Sequence, residues 1–452
     1  MNKKILIPII VILIIAAGIG AYSVFQKPVP VQRGSDSPFG IFNPYEVFLD
    51  RPEFITQAGI NNYIKELGVP WVQGMPFDLD SLAQGGAQLY SRVIPLGKPI
   101  NFPREIEFWT EIIKKNKGRV KYWEIDTEPE SCPLPKEQGT EGCWKKPEDY
   151  VEYQKTFYGI IKKECPDCTV VFGGIGGPDV GFTENSPQAK WLKSALDASG
   201  GKYFDAFEFK QHYHKANEYT ELKNKIEVYG KILSGYGIDI KKMPVFIETA
   251  MYDGQPETLV QPPLPFQSET QQAAGLIKTY IFGIAQGIDK IFWNYVVERN
   301  EKGPDQINTK EIFNYYGLVN NPDNDGLSHK KLSYYTYKKM IEILEGSDWN
   351  SIQTIQESDG VYIYKFTLRH SSGQAKQGKP IWVAWNDNSG EKQVTISGIN
   401  SSQVKITETV PKYESGKDVT DYNTAFNKET KSAQNGKIST TLGNKPVFVE
   451  QQ

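Results

Sequence analysis

The sequence has 452 residues, with 51 Lys and Arg against 54 Asp and Glu, so its formal net charge is −3. A balanced charge without a basic cluster argues against a protein that binds nucleic acid or another polyanion. The length allows two or three domains, or one large barrel with an added module.

The first 26 residues are predicted to form a transmembrane anchor or an export signal. Lys3 and Lys4 precede an uncharged, apolar run over residues 5–25. As a helix this run is about 31 Å long, which is enough to cross a bilayer core. It is longer than the apolar part of a typical signal peptide, so we favour an uncleaved span that contacts the lipid bilayer. The positive-inside rule then places the rest of the chain outside the cell membrane, whereas cleavage would give a secreted protein.

Residues 27–37 read as an extended linker that follows this segment. The four cysteines fit an oxidising compartment, in which disulfides are the default. Cys132 and Cys143 bracket a loop rich in Pro and Gly, and Cys165 and Cys168 form a C-x-x-C. The expected pairs are Cys132 with Cys143 and Cys165 with Cys168, while zinc ligation and free thiols remain alternatives.

Strand-like and helix-like segments alternate from residue 39 to residue 345. Predicted strands cover residues 39–42, 71–73, 91–94, 120–125, 169–172, 204–209, 245–247 and 290–295. Predicted helices cover residues 57–67, 104–115, 147–163, 188–198, 219–234 and 268–286. Eight such repeats predict an α/β fold, a (β/α)8 TIM barrel over residues 38–346. An open doubly wound sheet is the competing interpretation, but the first strand lacks the Gly-rich turn expected there.

After residue 346 the pattern changes to short strands separated by Gly, Ser and Asn turns. Residues 347–452 contain five such strands and no helix of note. This spacing predicts a small C-terminal antiparallel β-sandwich domain.

Two glutamates follow predicted barrel strands. Glu128 closes the fourth strand and Glu248 closes the seventh. Because reacting groups in a barrel lie at the carboxyl ends of strands, both should face each other across one mouth. Paired carboxylates at a mouth suit glycosidic hydrolysis, in which one protonates the leaving oxygen and the other attacks the anomeric carbon.

Five segments, in order, resemble clan A of the retaining glycoside hydrolases, whose barrels carry the acid/base on strand four and the nucleophile on strand seven. Residues 122–129 resemble the W-E-x-x-N-E-P strand, and residues 244–249 resemble the P-[IV]-x-[IV]-x-E strand end. Residues 204–207 with 212–213 resemble the clan's strand six, residues 290–293 its strand eight, and residues 316–319 with 331–337 its common G-L-[VIL]-…-K-x-x-[YF]-Y-x-[YFL] ending. The barrel with a C-terminal β-domain is similar to the family 39 β-xylosidase-like members.

The resemblance implies a carbohydrate substrate cleaved by double displacement, with Glu128 as acid/base and Glu248 as nucleophile. His212 and Tyr213 would orient Glu248 or the sugar, and Trp293 would be a platform for the sugar ring. The implied substrate-binding residues are Thr127, His212, Tyr213, Trp293, Gln73 and Asp126. No metal or cofactor motif is present, and the oligomeric state is left open.

Three departures from the clan keep a second hypothesis open. Thr127 stands where the clan has Asn, Gln73 stands where it has Arg, and Glu248 follows Pro244 by four residues instead of five. Since strand side chains alternate, a one-residue slip would turn Glu248 to the other face unless a bulge restores it. The alternative is a catalytically inactive barrel that acts as a cell-surface glycan-binding or scaffold protein. A metal-dependent barrel hydrolase is disfavoured because the chain has only four His.

Overall fold

The computed structural model describes residues 37–43, 57–74, 80, 86–96, 101–130, 144, 146–177, 179–215, 217–256, 263–299, 312–321, 328–369 and 378–452. Its first part is a closed barrel of eight parallel strands that neighbour each other in chain order. The strands are β1 (Phe39–Asn43), β2 (Trp71–Gly74), β3 (Gln88–Val93), β4 (Val120–Ile125), β5 (Thr169–Ile175), β6 (Ala206–Tyr213), β7 (Val245–Met251) and β8 (Lys290–Asn294). The predicted barrel is therefore confirmed, and the open sheet is excluded.

Helices connect these strands, and each predicted helix is present with ends that differ by no more than two residues. They are α1 (Gln57–Leu67), α2 (Phe102–Lys115), α3 (Pro147–Glu164), α4 (Pro187–Ser199), α5 (Glu221–Ser234), α6 (Glu269–Ala285) and α7 (Leu332–Leu344). Local signals start several of them. Asn101 caps α2 through the Arg104 amide, and Ser268 and Gln271 form a capping box at α6. Such caps satisfy backbone N–H groups that lack a partner within the helix.

Strand alternation divides the barrel core into two layers. Phe42, Trp71, Tyr90, Phe246 and Phe292 belong to a cluster inside the barrel. The residues between them on each strand pack in the larger cluster between strands and helices. Because every second side chain points inward, position along a strand decides whether a residue can reach the barrel mouth.

The C-terminal unit is antiparallel. Its six-stranded sheet has the order β14-β13-β16-β11-β10-β9, and β12 pairs with β15 in a second, two-stranded sheet. The strands are β9 (Gln353–Ser358), β10 (Val361–Thr367), β11 (Pro380–Asn386), β12 (Lys392–Ser397), β13 (Gln403–Glu408), β14 (Lys428–Ser432), β15 (Lys437–Leu442) and β16 (Val447–Gln451). This arrangement agrees with the predicted antiparallel β-domain, and the predicted boundary at residues 346 and 347 falls between α7 and β9.

A buried ion pair joins the C-terminal unit to the barrel. Lys278 of α6 contacts Asp387 at 2.7 Å, and the Tyr219 hydroxyl donates to the other oxygen of that carboxylate at 2.6 Å. Trp385 donates its indole N–H to the Tyr219 hydroxyl. This ion pair lies on the outside of the barrel. The C-terminal unit therefore packs against α6, the helix that connects β7 and β8.

Some sequence predictions concern residues outside the described ranges. The predicted span at residues 5–25 and the cysteines Cys132 and Cys143 are among them. In the part of the chain that the structure describes, no helix is both long and apolar enough to cross a bilayer. Cys165 and Cys168, in the turn after α3, have sulfur atoms 2.07 Å apart, as the predicted pairing requires.

Candidate active site

Glu248 lies on the inner face of β7 and is held by three donors. It shares that face with Phe246, and β7 pairs with β6 and β8 without a register shift, so no bulge is needed to turn it inward. Arg92 donates to Oε2 at 2.5 Å and Asn294 donates to Oε1 at 2.7 Å. The Lys210 ammonium lies 3.3 Å from each of the two oxygens. The shorter spacing after Pro244 therefore leaves the carboxylate in the barrel.

The charge state of Glu248 follows from these contacts. Burial by itself would raise the pKa of Glu248, because a buried carboxylate loses its hydration. The positive charges of Lys210 and Arg92 and the Asn294 hydrogen bond outweigh burial and lower the pKa to about 2. Glu248 is consequently ionised at neutral pH.

Glu128 lies in the turn after β4, on the same rim. Its amide donates to the Gly174 carbonyl at 2.9 Å, which ties the turn to β5. Asp126 and Glu128 both have positive φ, 62° and 47°, a conformation that side chains with a Cβ seldom adopt. The Glu128 side chain is 39% exposed, and its Oε1 lies 3.6 Å from the Lys210 ammonium. Glu128 is thus the solvent-facing carboxylate of the pair.

The two carboxylates are close enough to act on one bond. Since oxygens of Glu128 and Glu248 lie 3.6 Å and 3.3 Å from the same Lys210 nitrogen, they are at most the sum of these distances apart, 6.9 Å. A retaining glycosidase needs carboxyl groups about 5–5.5 Å apart, a range that this limit includes.

A second buried carboxylate lies behind Glu248. Glu124 of β4 accepts from the Arg92 Nε at 2.5 Å and from Gln73 at 3.0 Å, both at Oε2. Its Oε1 accepts from the Gly174 amide at 2.9 Å. A Cβ at Gly174 would lie 3.3 Å from that oxygen, so the absence of a side chain allows this approach. Arg92 therefore joins Glu124 and Glu248 through one guanidinium.

Glu208 completes the buried acidic cluster one layer deeper on β6. It accepts a 2.5 Å hydrogen bond from the Tyr90 hydroxyl. Burial raises the pKa of Glu208 well above its usual range, and the charge of Glu124 adds to this, although Arg92 opposes it. The raised pKa favours the neutral form of Glu208, which limits the negative charge inside the barrel.

Gln73 and His212, two of the predicted site residues, lie on the inward register of β2 and β6. Gln73 points inward, and its side-chain amide donates to Glu124. Arg92, on the neighbouring strand β3, donates to the same Glu124 oxygen. His212 stacks on Tyr316 with ring centroids 5.5 Å apart, and its amide donates to Asp179. Burial lowers the pKa of His212, so the ring is neutral at pH 7.

Asp126 and Thr127 lie in the turn that carries Glu128. Asp126 accepts from the Thr127 amide at 2.8 Å and from the Trp144 indole at 2.6 Å. Burial raises the pKa of Glu130, farther along the same turn, to about 7, and the charge of Glu128 contributes. Asp126, which was predicted to bind substrate, accepts hydrogen bonds that hold this turn in shape.

Tyr213 and Trp293 do not reach the mouth. Both are essentially fully buried and pack in the layer between strands and helices. Trp293 follows the inward Phe292 on β8, so alternation turns it outward, and its indole donates to the Tyr316 carbonyl. Tyr213 follows His212 on β6 and is turned outward for the same reason. The structure therefore corrects the sequence-based placement of these two rings in the site.

Arg92, Lys210 and Asn294 were not predicted, although a signal for them exists. Each is a polar or charged residue on the inward register of a largely apolar strand: Lys210 lies two residues before His212, and Asn294 two residues after Phe292. Counting back by two from His212, a predicted site residue, would have found Lys210.

Three polar atoms near the carboxylates are buried and make no hydrogen bond to any described residue. They are Thr127 Oγ1, His212 Nε2 and Asn294 Oδ1. Buried polar groups are normally paired, so such atoms indicate a place for a polar ligand or water. A hydroxyl-rich ligand offers both donors and acceptors to them. Within the described residues no group of three His, Cys, Asp or Glu side chains has the geometry to hold a metal.

No family model matches the sequence, and no curated protein is similar enough to match it. Solved structures do match over most of the chain. The GH51 arabinofuranosidase from Xanthomonas axonopodis pv. citri has a TM-score of 0.59 and 12% identity, and the match covers 95% of this chain and 98% of that one. AbfB, a family 51 alpha-L-arabinofuranosidase from Bifidobacterium longum, has a TM-score of 0.61 and 12% identity, with 94% and 98% covered.

The alpha-L-arabinofuranosidase from Thermotoga maritima is similar to the same degree, with a TM-score of 0.61 and 9% identity over 92% of this chain and 96% of that one. At sequence identities of 9–12%, these comparisons show a similarity of fold. The chain therefore shares its fold with these arabinofuranosidases over more than nine tenths of its length. Membership of family 39 stays a prediction.

Proposed function

We propose that this protein is a retaining glycoside hydrolase that cleaves O-glycosidic bonds in a β-linked oligo- or polysaccharide. The observation that carries the proposal is the pairing of an ionised, buried Glu248 with a solvent-facing Glu128 at one mouth, both within 3.6 Å of Lys210. The clan A resemblance and the shared fold support it.

In this reaction Glu128 protonates the leaving oxygen while Glu248 attacks the anomeric carbon to form a glycosyl-enzyme. Water then attacks that carbon, with Glu128 as general base, and Glu248 leaves as a carboxylate. Arg92 and Asn294 hold the two oxygens of Glu248 in place. Holding the nucleophile in position lowers the entropic part of the barrier.

Hydrolysis of a panel of aryl glycosides identifies the sugar that the protein accepts. Aryl β-glycosides follow from the proposed linkage, and aryl α-L-arabinofuranosides are included because structural relatives are named for that activity. The protein assayed is residues 37–452, which begin at Ser37, the first described residue. Glu128→Gln and Glu248→Gln should each abolish hydrolysis, and Glu152→Gln, on an exposed part of α3, is the matched control.

Azide separates the two roles. With a substrate that has a good leaving group, azide should rescue Glu248→Ala with inversion at the anomeric carbon, and rescue Glu128→Ala with retention. Wild-type activity retained in either Gln variant would refute the assignment.

A second candidate function is a catalytically silent glycan-binding or scaffold barrel. Lys210 favours it, because an ammonium group already contacts both carboxylates. Calorimetric binding of oligosaccharides without turnover on the whole panel would support this function. A trapped covalent glycosyl group on Glu248 would exclude it.

We also propose that residues 5–25 tether the protein to the cell membrane with the barrel outside. The uncharged run behind Lys3 and Lys4 is the basis of this proposal. The full chain should sediment with membranes and resist carbonate extraction, whereas residues 37–452 should not. Recovery of the full chain in the soluble fraction, shortened at its N-terminus, would show a cleaved signal instead.

A further inference from the structure

Lys210 is a buried cation placed between the two proposed catalytic carboxylates. Its side chain is 9% exposed, and its nitrogen is equally distant, at 3.3 Å, from both oxygens of Glu248. The same nitrogen lies 3.6 Å from Glu128, on the solvent side. The described polar contacts of this ammonium are thus with Glu128 and Glu248, the two proposed catalytic carboxylates.

The place that Lys210 fills has a definite role in the proposed reaction. The anomeric carbon must approach Glu248 while the leaving oxygen contacts Glu128, and positive charge develops on the sugar ring between them. Because the Lys210 ammonium contacts oxygens of both carboxylates, it competes with a sugar for those same oxygens.

We propose that the Lys210 ammonium occupies, in the free protein, the place at which positive charge develops during glycosidic cleavage, so that a ligand must displace it. Lys210 is then a specificity-determining residue. A neutral sugar must separate the ammonium from two carboxylates, whereas a cationic sugar analogue replaces one positive charge with another. The inference rests on the proposed function in taking this place as the reaction centre.

The surroundings permit such a displacement. Glu248 would keep the hydrogen bonds from Arg92 and Asn294, so its buried charge would still be compensated. Arg92 is fixed between two buried carboxylates, whereas Lys210 has a flexible stem and a partner, Glu128, that is partly open to solvent. The Lys210 ammonium can therefore move away from Glu248, toward Glu128 and the solvent.

The test measures binding and requires no turnover. Lys210→Met removes the cation with little change in volume, and Lys210→Arg is the matched control that keeps it. The probes are ethylammonium, which needs no knowledge of the sugar, and a panel of pyranose and furanose iminosugars, each with its neutral lactam. Lys210→Met should bind the cationic probes at least about tenfold more tightly than wild type, whereas lactam affinity should change much less.

Lys210→Arg should show no such gain. Cationic probes that bind Lys210→Met no more tightly than wild type, or not at all, would overturn the proposal, because a vacated pair of carboxylates must take up a cation. Thermal unfolding checks that the variant is folded, and Lys210→Gln replaces it if it is not.

A crystal structure of the wild-type protein with a bound cationic probe gives an independent measurement. The Lys210 nitrogen should then lie beyond hydrogen-bond distance of Glu248, and an unmoved ammonium beside a bound probe would contradict the inference. Hydrolysis by the wild-type protein is assayed separately. Failure of the displacement model and failure of the glycosidase assignment are therefore distinguishable.

Discussion

Arg92 and Glu248 stand on opposite strands of the barrel, β3 and β7, yet Arg92 Nη2 lies 2.5 Å from Glu248 Oε2. The Nε of the same guanidinium contacts Glu124 at 2.5 Å. All three side chains are almost completely buried, so this is an interior ion network. Arginine suits it because the planar guanidinium presents several donors in fixed directions.

Replacing Arg92 should destabilise the fold strongly. Arg92→Met leaves two buried carboxylates without their shared cation, and breaking a buried ion pair in this way costs about 3–5 kcal/mol. Urea denaturation at pH 7 measures the change in the free energy of unfolding. Lys231→Met breaks an exposed pair with Glu184 and should cost no more than about 1 kcal/mol. Similar losses in the two variants would contradict the buried network.

Glu248 should make stability depend on pH in acid. Its folded pKa of about 2 lies below the unfolded value, so ionised Glu248 stabilises the fold above about pH 4.5, and this contribution is lost as pH falls toward 2. The linkage amounts to about 3 kcal/mol. Urea denaturation at pH 5, 4 and 3 should show a shallower decline for Glu248→Gln than for wild type. Glu152→Gln should keep the wild-type slope, and an unchanged slope in Glu248→Gln would refute the lowered pKa.

Glu208 should have the opposite effect on how stability depends on pH. Burial and the charge of Glu124 raise its pKa, so the folded protein keeps a proton that the unfolded chain releases above about pH 4.5. This linkage lowers stability as pH rises. Glu208→Gln resembles the protonated acid and should gain stability relative to wild type, by an amount that grows as pH rises above about 4.5. A difference in unfolding free energy that stays constant above that pH would refute the raised pKa of Glu208.

Gly174 should tolerate no side chain. A Cβ there would lie 3.0 Å from Glu208 Oε1 and 3.3 Å from Glu124 Oε1, which is closer than Cβ atoms normally approach other atoms. Gly174→Ala should therefore cost about 1–3 kcal/mol of stability and lower hydrolysis, because the carboxylates behind Glu248 must shift. Gly159→Ala, in α3 with open space around it, is the matched control and should gain up to about 1 kcal/mol. Equal effects of the two substitutions on unfolding would contradict this packing.

Much of the fold was predictable because its signals are local. Apolar runs, helix caps and Gly or Pro turns depend on neighbours in the chain, so the six predicted helices and eight predicted strands lie within a few residues of the observed ones. Glu128 and Glu248 were found in the same way, since strand ends in a parallel barrel share one rim. Tyr213 and Trp293 were predicted at the site from their likeness to clan motifs. The alternation of side chains along β6 and β8 instead turns both rings outward.

The sequence by itself determined the alternation of strands and helices, and with it the barrel and the rim on which Glu128 and Glu248 lie. Only the tertiary structure decided that Arg92 and Lys210 meet Glu248 from β3 and β6, because closure of the barrel brings together residues far apart in the chain. The ionisation of Glu248 and the raised pKa of Glu208 follow from that closure. Burial and nearby charge set both, and neither exists until the barrel has formed.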